Sequence, residues 1–149
     1  MLLYTLTHRG EKMNKKLFIF EFANNHMGDV EHGLTMIKEY AKVVKEFKKQ
    51  TQNQNFQFAV KFQFRDIDTF IHPDFKQRMD LKYVKRFSET RLSRSDFEQF
   101  KNAATKAGFK TICTGFDEPS VSLLEEMGFD YVKIASCSST DWPLLNKVA

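Results

Sequence analysis

Two kinds of apolar pattern take turns along this chain. Leu17-Phe18-Ile19-Phe20-Glu21-Phe22-Ala23 is apolar except at Glu21, and Phe58-Ala59-Val60-Lys61-Phe62-Gln63-Phe64 is rich in aromatic and aliphatic side chains. The second run lacks the polar residue at every other place that one wet face would demand, so it predicts a strand buried on both faces, as in a parallel sheet. Phe109-Lys110-Thr111-Ile112-Cys113-Thr114, ending at Gly115, and a run from Tyr131 through Lys133 to about Ala135 predict two more strands. Between them the period changes to that of a helix. Val30, Leu34, Ile37, Ala41 and Val44 mark one face, with Lys38, Lys42, Lys45 and Lys49 on another. Phe97, Phe100, Ala104 and Ala107 mark a second helix up to Gly108, and Leu123, Leu124 and Met127 a third that Pro119 opens and Gly128 closes.

Punctuation agrees with this division. Asp29 is placed to cap the first helix, and Ser95-Asp96-Phe97-Glu98 has the form of a capping box. The polar tract Gln50-Thr51-Gln52-Asn53-Gln54-Asn55 is a linker. After Arg65 comes a long connection, broken at Pro73 and carrying a short helix over Leu81 to Phe87; connections of that length are usually functional or mobile. Asp141-Trp142-Pro143-Leu144-Leu145 begins a further helix.

Strand and helix alternating four times give an α/β chain with a parallel sheet and right-handed crossovers. A doubly wound sheet and part of an eight-stranded barrel both fit that order. No G-x-G-x-x-G turn follows any strand, which weakens the dinucleotide-binding variety. In a barrel the reactive groups stand at the carboxyl ends of the strands. That zone holds Glu21, Lys61 with Gln63, Thr114, and Lys133 with Ser136. Lys61 and Lys133 each interrupt an apolar strand. Burying an ammonium costs several kcal/mol unless an anion meets it, so both ask for a buried carboxylate or an anionic ligand.

Composition narrows the class further. The 149 residues suffice for one domain, and 23 Lys and Arg against 19 Asp and Glu give a net charge of +4, too mild to require nucleic acid. No apolar run approaches the roughly 20 residues of a membrane span, and the first ten residues lack the form of a secretory signal. Met13 precedes the first strand, so residues 1–15 are expected to be an extension and 16–149 the folded part. Cys113 and Cys137 fit reduced thiols, and with the other features they predict a soluble, cytoplasmic protein. His8, His26, His32 and His72 form no compact metal-ligand pattern.

Four segments resemble, in order and spacing, the amino-terminal half of the sialic acid synthase barrel. They are Glu21-Phe22-Ala23-Asn24-Asn25-His26-Met27-Gly28-Asp29, Ala59-Val60-Lys61-Phe62-Gln63, Thr114-Gly115-Phe116 and Tyr131-Val132-Lys133-Ile134-Ala135-Ser136. The resemblance runs from about Lys16 to Ala149 and implies part of a (β/α)8 TIM barrel, about four parallel βα units. It implies condensation of phosphoenolpyruvate with an N-acetylmannosamine-like sugar to a nonulosonic acid and phosphate. On that likeness Lys61, Thr114, Lys133 and Ser136 hold phosphoenolpyruvate, Gln63 adds a neutral donor, Asn25 joins the substrate-binding set, and Glu21 is a general acid or base. A divalent metal, manganese or magnesium, is implied with ligands outside this chain, as is a homodimer for the full-length family. Membrane and nucleic-acid partners are not.

Plainer roles stand beside these. Lys61 and Lys133 could pair with core carboxylates such as Glu21, His26 could orient its loop, Asn24 and Asn25 could supply turn geometry, and Thr114 could satisfy backbone groups. The family commonly has a glutamate where this chain has Ser138, which cannot act as a carboxylate base. The alternative to an enzyme is therefore a noncatalytic anion-binding half-barrel that associates with a partner chain. Nucleic-acid binding through the helix lysines ranks last, since no aromatic platform accompanies them.

Overall fold

The expected strands and helices form, and their order in space decides between the two architectures. The computed structural model describes residues 3–5, 15–51 and 55–149. Four parallel strands, β2 (Lys16–Ala23), β3 (Phe56–Phe64), β4 (Lys110–Gly115) and β5 (Tyr131–Lys133), lie side by side in the order in which the chain makes them. A doubly wound sheet reverses direction at a switch point, whereas a barrel wall adds every strand on the same side. This sheet is of the second kind. A short strand β1 (Leu3–Thr5) pairs antiparallel with β5, with Tyr4 opposite Val132. Most of the expected extension 1–15 lies outside the described residues, as do residues 52–54 of the polar linker.

Alternation along the strands sends Phe58, Val60, Phe62, Cys113 and Val132 to one face, where the core forms. Helix α1 (Val30–Thr51) and the helix over Arg94–Lys106 cover that face. They approach closely because α1 has Gly33 at the contact: a Cβ there would stand 2.3 Å from Cζ of Phe100. Asp29 caps α1 as expected, its Oδ1 accepting from the His32 N–H.

The long connection folds into α2 (Ile67–Phe70), a 3-10 turn (Pro73–Phe75) and α3 (Lys82–Glu89) before α4 (Arg94–Lys106). It is clipped down at two places. The Asp66 N–H donates to Asp117 Oδ2 and Ser120 Oγ at 3.0 and 3.1 Å, and Arg91 grips Asp68 through both η nitrogens at 3.0 and 2.5 Å. The capping box of α4 is a correction to the sequence reading. It is built by Ser93 and Asp96, not by Ser95 and Glu98, because the helix starts half a turn earlier; Ser95 instead shares a hydrogen bond with Ser93.

The last expected strand is also shorter. β5 stops at Lys133, and Ile134 and Ala135 are buried without joining the ladder. Ser136 then opens a 3-10 turn (Ser136–Ser138). α5 (Glu118–Glu126) and α6 (Trp142–Val148) complete the described chain. No described helix is long and apolar enough to cross a membrane.

Candidate functional site

Strand register assembles the polar residues on the sheet face opposite the core. Glu21 lies directly across from Lys61, while Gln63, Thr114 and Lys133 form a second cross-strand row nearer the carboxyl ends. Two-residue alternation keeps Lys61 and Gln63 on this face and Phe62 on the other. A bulge after Glu21, with Ala23 taking a φ of +46°, lets Phe22 sink fully into the core while Glu21 stays on the polar side.

Glu21 and Lys61 form an ion pair. The carboxylate pairing considered from sequence is thus realised for Lys61, but the pair is lopsided: the lysine side chain is 9% exposed and the glutamate 48%. One carboxylate partly offsets the burial of this ammonium, while its remaining N–H donors stay available to a second anion. Lys133 has no carboxylate at ion-pair distance among the described residues. Both lysines, with Glu21 and Ser136, line one open cavity of about 800 Å³, to which Trp142, Leu145 and Asn146 of α6 also contribute. Two ammonium groups against one carboxylate leave this cavity with excess positive charge.

Thr114 stands beside Lys133 in the cross-strand row but lines neither this cavity nor the one that Gln63 lines. Its side-chain oxygen is shut off from solvent and has no hydrogen-bond partner among the described residues. Leaving a buried hydroxyl unpaired costs about 1–3 kcal/mol, so the reading of Thr114 as a hydroxyl that satisfies backbone groups finds no support in these contacts. Ser138, in the place where the sequence lacks an acid, is buried and does not line the cavity; its N–H donates to the Ala135 carbonyl.

Gln63 is turned elsewhere. It lines a second cavity of about 400 Å³ with Asn24, His26, Arg65, Thr90, Arg91 and Arg94. Asn25 is exposed and lines neither cavity, while its neighbour Asn24 does. His26 is 2% exposed, stacked near Phe22 and Phe100, and its Nδ1 accepts from the Gly28 N–H at 3.0 Å. Burial, helped by the positive field of His32, lowers its pKa to about 4. A neutral ring accepting from its own loop is a brace, which matches the plainer role.

Arg65 is the residue that sequence reading missed. Its guanidinium carbon lies 3.7 Å from the Phe116 ring centre, 4.4 Å from that of Phe87 and 5.8 Å from that of Phe70. Burial pushes its pKa down to about 10, so it remains a cation at neutral pH. The three phenylalanines are scattered along the chain, and no local motif announces such a cage. Among the described residues no three His, Cys, Asp or Glu side chains converge, so these residues do not fit a metal centre.

Comparison with known proteins places this geometry among relatives. The NeuB family model matches residues 49–149. An uncharacterised protein of Methanocaldococcus jannaschii is 32% identical over 131 residues, a match covering 88% of this chain and 34% of that protein. A Chromobacterium violaceum protein assigned to spore coat polysaccharide biosynthesis (protein E) superposes with a TM-score of 0.81 at 51% identity, covering 90% of this chain and 38% of that one. The N-acetylneuraminic acid synthetase of Leptospira borgpetersenii, solved with citrate, gives 0.68 at 25% identity over 94% of this chain and 44% of that one. The chain thus spans about a third of the curated relative and less than half of either solved structure.

Proposed function

The chain belongs to the NeuB family, and on that premise we propose that it carries the phosphoenolpyruvate-binding wall of a sialic acid synthase-like enzyme. The reaction proposed joins phosphoenolpyruvate to an N-acetylmannosamine-like sugar, giving a nonulosonic acid and phosphate. The observation that carries this reading is the cavity in which Lys61, Lys133 and Ser136 meet, with Glu21 the one acidic side chain among the described residues that line it.

Phosphoenolpyruvate brings a carboxylate and a phosphate, and two lysines facing it from neighbouring parts of the sheet can compensate both. Such charge-assisted contacts are the strong ones in a partly desolvated site. The hydroxyl of Ser136, which lines the cavity, would supply a further donor. Glu21, already in contact with Lys61, is proposed as the proton-transferring group, since ligand binding at Lys61 brings reacting atoms next to it.

Calorimetry with phosphoenolpyruvate tests the binding step. Lys61→Ala and Lys133→Ala should each weaken binding about tenfold or more, the usual scale for one charged partner. Unchanged affinity in both variants would defeat the assignment. Turnover is tested by release of phosphate that requires both an N-acetylated mannosamine and manganese or magnesium.

Ser138 favours a second reading, a noncatalytic anion-binding module that works with a partner chain. It puts a buried hydroxyl where the family commonly has a carboxylate. Binding of phosphoenolpyruvate without phosphate release would select that reading.

A further inference from the structure

The contact between Arg65 and Gln63 determines which way a site amide faces. Arg65 Nη2 donates to Gln63 Oε1 at 3.2 Å. A guanidinium has donors only, so the amide atom that faces it must be the oxygen; a flipped amide would set donor against donor. The Gln63 NH2 therefore points away from Arg65, and neither of its hydrogens has a protein partner among the described residues.

Arg65 is itself held without an ion-pair partner, though Asp117 is near enough to favour its charge. Among the described residues no carboxylate lies at ion-pair distance from it, and its Nε is sealed off with no partner. Its plane is fixed instead by phenyl rings from three parts of the chain: Phe70 in α2, Phe87 in α3, and Phe116 just after β4. A cation over such rings gains on the order of 1–2 kcal/mol when partly desolvated, enough to favour one orientation. The cage orients the guanidinium, and the guanidinium orients the amide.

We propose that Arg65 is a positioning residue that locks Gln63 with its NH2 turned from the guanidinium into the second cavity, the one of about 400 Å³, so that this cavity takes a ligand group that accepts hydrogen bonds. A hydroxyl, carbonyl or carboxylate oxygen is admitted there, and an ammonium is rejected. The inference rests on the reading of this face as a substrate-binding wall. Phosphoenolpyruvate is assigned to the other cavity, so the acceptor sugar is the expected source of that oxygen, and the arms of the test separate the two.

Steady-state kinetics on this protein, with phosphoenolpyruvate and N-acetylmannosamine varied in turn, compare wild type with Arg65→Met and Gln63→Glu. Arg65→Met keeps an unbranched stem against the rings but donates nothing. In Gln63→Glu the carboxylate stays paired with Arg65 and shows only acceptors to the ligand. Each variant should raise KM about tenfold for one of the two substrates, the same one in both, with kcat within about twofold. Arg65→Met should add no further penalty in a Gln63→Leu background. Wild-type KM values for both substrates in Gln63→Glu, or additive losses in the double variant, would overturn the proposal.

Absence of turnover in the wild type would instead count against the proposed reaction and leave a second readout standing. In 15N spectra of the folded protein, the Gln63 side-chain NH2 resonance should shift in Arg65→Met as its carbonyl loses a charged donor. An unmoved resonance refutes the lock whatever the reaction.

Discussion

Acidification should unsettle this fold before its carboxylates begin to protonate, and His26 is the reason. In the unfolded chain the imidazole titrates at its ordinary value of 6.5, while burial beside Phe22 and Phe100 holds it near 4 in the fold. The unfolded state therefore binds the extra proton between these two values, and stability falls as pH falls through that window. At pH 7 almost nothing is lost. At pH 5.5 the difference between the two titrations amounts to about 1.4 kcal/mol, so the drop from pH 7 is roughly 1.2 kcal/mol.

Urea unfolding at half-unit steps from pH 7 to 5.5 reads this directly, with m-values checked for constancy. His26→Asn is the control: the Asn oxygen stands as many bonds from Cα as Nδ1 and can still accept from the Gly28 N–H. It removes the titrating ring, so its overall stability drops but its pH slope should flatten. A flat profile in the wild type, or an equal slope in His26→Asn, would refute the reasoning.

Three further outcomes follow from packing and hydrogen bonding. Gly33→Ala drives a methyl into the Phe100 ring and should cost about 1–3 kcal/mol or more, read as a lower urea midpoint with unchanged m. Burial alone would raise the Asp130 pKa, but Lys110 Nζ and the N–H and hydroxyl of Thr111 hold it below its ordinary value. Asp130→Asn should therefore cost about 1–3 kcal/mol at neutral pH, and the difference from wild type should shrink as pH falls below the ordinary carboxyl range. Cys113 is fully buried and its thiol pKa pushed far up by that burial, whereas Cys137 is exposed. A thiol reagent should titrate one group in the native protein and two after denaturation.

The strands were legible because a near-continuous apolar run of six to nine residues, too short to span a membrane as a helix, has few uses other than a strand buried on both faces. The same signal overshot at Ile134 and Ala135, since apolar composition reports burial and these residues are buried without pairing. The α4 cap was misplaced because Ser93 and Ser95 each precede an acid by three residues, and only the helix start chooses between them. Glu21, Lys61 and Lys133 stand toward the carboxyl ends of their strands and Ser136 in the turn just after β5, positions that sequence spacing carries, and so they come together. The separation of Gln63 into another cavity was not legible. It depends on Arg65, whose place is set by rings from three distant segments, and such a cage exists only after the long connection has folded over the sheet.

The two clips on that connection have a mechanical result. With Asp66 tied to the start of α5 and Arg91 tied back to Asp68, the intervening span is a loop held at its base by two contacts, the second of them an exposed ion pair. Those contacts bias it against swinging as a flap, and salt, which screens the exposed pair, should loosen the base more than the Asp66 tether. Length changes would be absorbed most easily between Lys76 and Asp80, away from either tether.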